Sequence, residues 1–168
     1  MELTEKTKFK NYKKTFMKKI LLSIATVLMI GASAFASGNN DGASNQVAVR
    51  NFKKDFATAT HIIWEQKDAL TKATFTLNGQ IMFAYYNSNG DLQAVVRNIT
   101  SDQLPINLLA SLKNEYNDCW ITDLFEMASN DETTYYVTLE TSEKKIVLRS
   151  SGSGGWEVYS KERKTTGQ

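Results

Sequence analysis

The chain has 168 residues, with 20 Lys and Arg against 18 Asp and Glu, and a formal net charge of +2. Residues 1–36 contain seven of the basic and two of the acidic residues, so residues 37–168 carry 13 basic and 16 acidic residues, a net charge of −3. That acidic balance excludes the basic face expected of a nucleic-acid-binding protein, and the length allows one ordinary domain. The single cysteine, Cys119, excludes an intramolecular disulfide, and we expect a buried structural thiol there.

Residues 1–36 are predicted to be a secretory signal peptide. Lys18 and Lys19 precede the uncharged run 20–30, and Ala34 and Ala36 have the spacing of a cleavage site. The run is shorter than the roughly 20 residues of a membrane-spanning helix, so no membrane anchor is expected after cleavage. Met17, followed by two lysines, is the predicted true start. We therefore expect a periplasmic or secreted protein with residues 37–45 as a flexible leader.

The first half of the remaining chain predicts one helix followed by strands. Val49, Phe52 and Phe56 recur at helical spacing, which predicts a helix from about residue 45 to residue 57. Period-two alternation then predicts strands in the runs 73–77, 81–85 and 95–99. Asn78-Gly79 and Asn89-Gly90 favour tight hairpin turns between these strands.

The second half repeats this order. Pro105 and the apolar stripe that ends at Tyr116 predict a helix over residues 105–116, and four alternating runs follow it. The sequence therefore predicts an α+β fold for residues 46–160. The predicted architecture is a tandem repeat of one helix plus a four-stranded antiparallel meander, in units 46–100 and 101–160, with the helices packed on one sheet face. Residues 161–168 are predicted to be a polar tail.

No constellation typical of catalysis is found in the sequence. A Ser or Cys nucleophile usually needs a His base, and the only histidine, His61, is expected at a strand end without a catalytic role. One His and one Cys far apart do not have the spacing of a metal site. The run 87–91 is interpreted as a hairpin and the Gly-rich run 152–155 as another. We therefore predict a protein that is not an enzyme and binds no metal or cofactor.

Aromatic residues, two adjacent tyrosine pairs together with Trp156 or Tyr159, provide the candidate binding residues. Neighbours on a strand point to opposite faces, so one ring of each pair Tyr85-Tyr86 and Tyr135-Tyr136 should lie away from the helices. Tyr86, Tyr136 and Trp156 are the predicted contacts, because Tyr and Trp are favoured anchors in protein interfaces. The alternative is that these aromatic residues only stabilise the sheet through cross-strand pairs.

The order of several short motifs resembles the PepSY-like, β-lactamase-inhibitor-like family of small exported bacterial domains. The motifs run from about Val47 to Tyr159: Phe52-x-x-x-Phe56-x-x-Ala59, Ile63-Trp64, Ala73-x-Phe75-x-x-Asn78-Gly79, Ala84-Tyr85-Tyr86-Asn87-x-x-Gly90-Asp91-Leu92, Leu104-Pro105, Tyr135-Tyr136-Val137 and Gly155-Trp156. The resemblance implies tandem helix-plus-four-strand units, an extracytoplasmic location and no catalytic residues. It does not imply inhibition of a β-lactamase, because a fold does not fix a function.

Together these features predict an exported, non-enzymatic binding or inhibitor-like module that acts on a protein or peptide partner at the cell envelope. Nucleic acid is not an expected partner. The alternative is a small-ligand-binding or envelope stress-sensing domain with a pocket between the sheet and the helices.

Overall fold

The structure is a computed structural model that describes residues 45–152 and 154–164. The predicted signal peptide, all of the predicted leader except Asn45, and the last four residues of the predicted tail lie outside this range. Within the described residues, none of the helices has the length and apolar character needed to span a membrane.

Two helices form where the apolar spacing predicts them, α1 over Gln46–Asp55 and α2 over Ile106–Glu115. The Asn45 side chain caps α1 by accepting hydrogen bonds from the backbone N–H groups of Val47 and Ala48, as N-cap residues do. A 3-10 turn, Ser101–Gln103, precedes α2, and Pro105 stands at the N-cap of α2 rather than inside it. Both predicted helices are confirmed to within two residues.

The remaining described chain is dominated by eight strands. They are β1 Thr60–Lys67, β2 Leu70–Leu77, β3 Gln80–Tyr86, β4 Leu92–Asn98, β5 Trp120–Ser129, β6 Glu132–Glu140, β7 Lys144–Ser150 and β8 Glu157–Arg163. All eight belong to one antiparallel sheet in chain order from β1 to β8. β8 thus enters the segment predicted as a polar tail.

The predicted tandem repeat of one helix plus a four-stranded antiparallel meander is wrong, because the eight strands form a single antiparallel sheet. β4 and β5, which the prediction placed in different units, pair between Val95–Asn98 and Phe125–Ala128. The Arg97 guanidinium also donates to both Glu126 carboxylate oxygens, at 3.2 and 3.1 Å. Separate meanders would leave two further strand edges with unpaired backbone groups, and this pairing satisfies them.

The two Asn-Gly pairs form different turns. Asn78 and Gly79 both have positive φ, +50° and +79°, which is the two-residue turn that the sequence predicts. Asn89-Gly90 instead lies in a longer loop between β3 and β4, where Gly90 N–H donates to the Asn87 carbonyl and Asn87 N–H donates to the Asp91 carbonyl. The two-residue turn predicted there is therefore wrong, because the hydrogen bond between Asn87 and Asp91 encloses the three residues 88–90.

Both helices pack on the same face of the sheet, here called the helix face. α1 covers a cluster that contains Phe52 and Phe75, and α2 covers a second cluster that contains Leu112 and Val137. The opposite face, on which neither described helix packs, is here called the helix-free face. Within residues 45–152 and 154–164, therefore, no helix covers this second face of the sheet.

Candidate functional site

The three predicted contact residues do not lie together. Tyr86 is 0% exposed and packs in the α1 cluster on the helix face. Trp156 also lies on the helix face, packs against the α2 cluster and donates from Nε1 to the Leu108 carbonyl at 3.0 Å. Tyr136 is on the helix-free face and is 3% exposed. Only Tyr136 therefore lies on the face that the prediction assumed, and its ring is buried. The binding role of all three residues stays a prediction.

Tyr86 carries an unusual buried hydroxyl. Among the described residues nothing donates to it or accepts from it, although buried polar groups are normally hydrogen-bonded. Burial and the nearby Asp55 carboxylate raise the pKa of Tyr86, so this phenol stays protonated at neutral pH. Its ring packs 6.1 Å from the Trp64 ring. Tyr86 is thus a core residue that holds β3 against α1 and β1.

The centre of the helix-free face is apolar. Side chains alternate along each strand, so the neighbours of helix-face residues must point to this side. Its buried members are Tyr85, Ala94, Val96, Phe125, Met127, Tyr136 and Val147. Thus the residue of the Tyr85-Tyr86 pair that lies on this face is Tyr85.

An aromatic cluster occupies the β5–β8 part of this face. The Phe125 and Tyr136 rings are stacked at 5.0 Å, and the Tyr159 ring meets the Tyr136 ring edge-on at 5.6 Å. Arg149 lies opposite Tyr136 in the strand register and pairs with the Glu157 carboxylate at 3.2 Å. Burial raises the pKa of Tyr136 while the Arg149 charge opposes this shift. The Phe125 and Tyr136 rings are each 3% exposed, so they stiffen the sheet, and Arg149 is the exposed member of the cluster.

Three large apolar side chains on the helix-free face are exposed. Ile63 is 52% exposed, Ile81 56% and Trp120 68%. The register places each of them on this face, since Ile63 pairs with Thr74, Ile81 with Thr76 and Trp120 with Glu140. Ile81 and Trp120 lie within the first two residues of β3 and β5, at the same end of the sheet. Exposed apolar groups beside an apolar centre are typical of interaction surfaces.

Asp123 places a carboxylate on the same face. It lies at a register irregularity of β5 and pairs with Thr138 of β6. Burial raises the pKa of Asp123, while the Leu124 N–H and the Lys145 charge oppose this shift. A charge held in a partly desolvated position disfavours the folded state. Such groups are frequent in functional sites, which makes Asp123 a candidate contact.

We predict that Asp123→Asn raises the stability of the protein at neutral pH. The folded-state pKa lies above the unfolded value, so the charged Asp123 disfavours folding at neutral pH, and this penalty fades as the pH falls through the folded-state pKa. Urea unfolding at a series of pH values measures the effect, with Glu132→Gln at an exposed position as control. A loss of stability in Asp123→Asn at neutral pH would contradict the burial argument.

The residues considered for chemistry, His61 and Cys119, can now be placed in the fold. No group of three or more His, Cys, Asp or Glu residues within 45–152 and 154–164 is placed to hold a metal ion. His61 lies exposed on the edge strand β1, with a left-handed φ of +52° and Nδ1 3.2 Å from Thr60 Oγ1. Burial and the Asp118 carboxylate raise the pKa of the Cys119 thiol, which disfavours the nucleophilic thiolate.

Sequence reasoning missed most residues of this face because both faces of the sheet are apolar. In β3 the series Ile81-Phe83-Tyr85 and Met82-Ala84-Tyr86 are equally apolar, so alternation alone does not show which series faces a helix. The strand register set by the Asn78-Gly79 turn is the signal that could have identified the residues of this face. It pairs Ala84 with Ala73 and Met82 with Phe75. That turn fixes the face of each β3 residue once Phe75 is assigned to the core.

No protein-family model matches the sequence, and no curated protein matches it. Solved structures do match. A BLIP-like protein from Bacteroides fragilis has 23% sequence identity and a TM-score of 0.63, over 78% of this chain and 95% of that chain. A candidate periplasmic protein from Bacteroides eggerthii has 17% identity and a TM-score of 0.64, over 73% and 90% of the two chains.

A third similar structure, a DUF2874 family protein from Bacteroides ovatus, has 16% identity and a TM-score of 0.62, over 70% of this chain and 85% of that chain. At these identities the similarity shows the fold alone. The comparisons support the inhibitor-like part of the resemblance that the motifs indicate, and they do not support the PepSY part. The chain therefore has the fold of BLIP-like proteins.

Proposed function

We propose that this chain is an exported, non-enzymatic binding module that holds a protein or peptide partner on its helix-free face. The observation that carries the proposal is the placement of both helices on the other face, which leaves exposed Ile63, Ile81 and Trp120 beside an apolar centre. Interfaces are enriched in aromatic residues and Arg, and the exposed Trp120 and Arg149 on this face match that composition.

Export is part of the proposal. The signal-like features of residues 1–36 support it, and so does the similarity of fold to a candidate periplasmic protein. The BLIP-like fold supports an inhibitor-type mode of binding rather than catalysis. The proposal names no β-lactamase as the partner, because residues that would recognise one are not identified in this chain.

The test is affinity capture from the cell envelope of its own cells, with the tagged chain as bait. The variant is Ile63→Asp, Ile81→Asp and Trp120→Asp together. These side chains are exposed, so the changes should leave the fold intact. A charge in each apolar contact should weaken binding at least about tenfold. The matched control, Ile106→Asp with Val158→Asp, changes apolar residues that are 80% and 59% exposed but lie on α2 and on the helix face.

Loss of the captured partner with the triple variant and its retention with the control would support the proposal. Equal retention by both variants would show that the partner does not use the helix-free face. Circular dichroism of each purified variant confirms that the fold is intact before the capture is compared.

The small-ligand alternative is supported by one observation, a groove of about 300 Å³ beside α2 that is lined mostly by apolar side chains. It lies on the helix face, so a ligand there and a protein on the helix-free face would not compete for the same residues. The two functions can be tested separately.

A further inference from the structure

The two outer strands of the sheet differ in charge. β1 and β8 end the strand order of the described residues, so one side of each strand has no sheet neighbour there. β8 and the residue after it carry four consecutive charges, 161–164, and charged side chains protect a sheet edge against pairing with another chain. The run 60–64 of β1 contains no Asp, Glu, Lys or Arg. Both strands have a register irregularity, so charge is what distinguishes the two edges.

The uncharged run of β1 also exposes apolar surface. Ile62 is 40% exposed and Ile63 is 52% exposed. All residues of β1 except Trp64 are exposed. A long exposed edge strand with apolar side chains is a template to which a further strand can add.

The β1–β2 hairpin fixes which backbone groups of β1 point outward. A two-residue turn joins Lys67 of β1 to Leu70 of β2, which lie opposite each other. Residues that flank such a turn bond to each other, and bonded residues then alternate along the strand. The N–H and C=O groups of Glu65 therefore point to β2, whereas those of Trp64 and Gln66 point away from the sheet.

These outward groups allow few two-fold pairings of β1 with β1 of a second copy. A register centred on Glu65 places two carboxylates opposite each other, which destabilises a sheet, and a register centred on Gln66 meets the turn after one further residue. A register centred on Trp64 instead places Ile63 of each copy opposite Glu65 of the other. The Glu65 carboxylate is already paired with the Lys72 ammonium at 3.0 Å, so this contact buries no uncompensated carboxylate.

β8 offers no comparable register. The Lys164 N–H donates to the Glu143 carbonyl, so alternation turns the backbone groups of Lys161 and Arg163 outward. Two-fold registers centred on Lys161, Glu162 or Arg163 each place like charges directly opposite each other. A pair of chains joined through β1 would therefore present two mutually repulsive outer edges, and its growth would stop at two copies.

We propose that this chain forms a two-fold dimer in which the two β1 strands pair antiparallel, centred on Trp64, and join the two sheets into one. The two-fold axis of such a pair is perpendicular to the sheet, so both helix-free faces lie on the same side. The dimer goes beyond the partner-binding function proposed above and shares only Ile63 with it.

Light scattering of the purified chain over a concentration series measures the mass, and amide hydrogen exchange locates the contact. We expect the mass of two chains at high concentration and of one chain on dilution. Where about nine-tenths of the protein is dimer, the Trp64 and Gln66 amides should exchange about tenfold more slowly than in the monomer. The outward amides of Lys161 and Arg163 on β8 are the matched control and should not change.

Three outcomes would overturn the proposal. The first is the mass of one chain at every concentration up to about 1 mM. The second is a dimer that slows exchange in β8, or in neither edge strand. The third is a mass above two chains, because two-fold pairing of β1 is closed.

Two variants test the edge strand without changing Ile63. Gln66→Pro removes an outward N–H and spares the bonds to β2, with Gln66→Ala as its control. Ile62→Lys puts a charge into the uncharged run, and its control is Val158→Lys at a 59% exposed position of β8. Each variant should raise the Kd of the dimer at least about tenfold and each control less than about twofold.

Equal effects of the variants and their controls would contradict pairing through β1. Both variants keep the exposed apolar residues of the helix-free face. Loss of the dimer and loss of the captured partner are therefore separate results, and either proposal can fail while the other holds.

Discussion

Phe52→Ala is expected to lower the free energy of unfolding by about 3–5 kcal/mol. Phe52 is 1% exposed and lies at the centre of the α1 cluster. Its ring meets those of Trp64 and Phe75 edge-on, at 5.3 and 4.9 Å, and lies 5.1 Å from the Phe56 ring. Truncation leaves a cavity between a helix and a sheet that are both held by other contacts, so the structure collapses into it only in part.

Urea unfolding followed by tryptophan fluorescence and by circular dichroism measures this loss. Lys53→Ala is the matched control, because Lys53 is the next residue of α1, is exposed, and should change stability by less than about 0.5 kcal/mol. A loss below 1 kcal/mol in Phe52→Ala would mean that α1 is not held by this cluster.

The same variant tests whether the sheet is one cooperative unit. The two helices cover separate clusters, but β4 and β5 join the halves through backbone pairing and through the Arg97–Glu126 ion pair. We expect one unfolding transition with both probes in the wild type and in Phe52→Ala. Two transitions in the variant would show that the halves unfold independently although they share a sheet.

The sequence predicted local elements well and the joining of strands poorly. The helices follow from the spacing of Phe52 and Leu112 with their apolar neighbours, and the Asn78-Gly79 turn follows from residues that tolerate positive φ. Pairing of β4 with β5 depends on backbone groups more than 25 residues apart, on which local periodicity gives no information. The tandem-unit prediction failed at that long-range contact.

The residues of the helix-free face were predicted only in part, because their assignment also depends on a long-range contact. The argument that neighbouring tyrosines face opposite sides is correct, since Tyr85 and Tyr86 lie on different faces, but it does not choose between the faces. That choice depends on where α1 docks. Because Trp favours interfaces, residue type predicts Trp156 as a surface anchor, whereas its indole N–H donates to the Leu108 carbonyl of α2. Residue type alone therefore does not tell whether a Tyr or Trp side chain is buried or exposed.

The docking of α1 is itself fixed by the β3–β4 loop. The Asn45 side chain donates to the carbonyls of Asn87 and Ser88, at 3.2 and 2.8 Å, and the Asn51 side chain donates to the Gly90 carbonyl at 2.8 Å. These amide hydrogen bonds join α1 to the loop at a point where the two backbones come close together. A close approach of two backbones is a position where glycine is required.

Gly90→Ala is accordingly expected to destabilise the protein by about 2–5 kcal/mol. Gly90 has a φ of +82°, and a Cβ there would stand 2.7 Å from Val47 Cβ and 2.8 Å from the Ala48 backbone nitrogen. The left-handed backbone accounts for about 1–2 kcal/mol, and the forced separation of α1 from the loop adds about 1–3 kcal/mol. Because one of the crowded atoms belongs to the helix backbone, a side-chain rotation cannot relieve the clash.

Gly79→Ala separates the two effects. Gly79 has nearly the same φ, +79°, but a Cβ there would have no atom within 4 Å, so only the backbone strain of about 1–2 kcal/mol is expected. Urea unfolding of both variants gives the difference directly. If Gly90→Ala loses at least 1 kcal/mol more than Gly79→Ala, the excess measures how tightly α1 is seated on the β3–β4 loop. Equal losses would show that the loop yields and that the position of α1, and with it the division into a helix face and a helix-free face, is not held there.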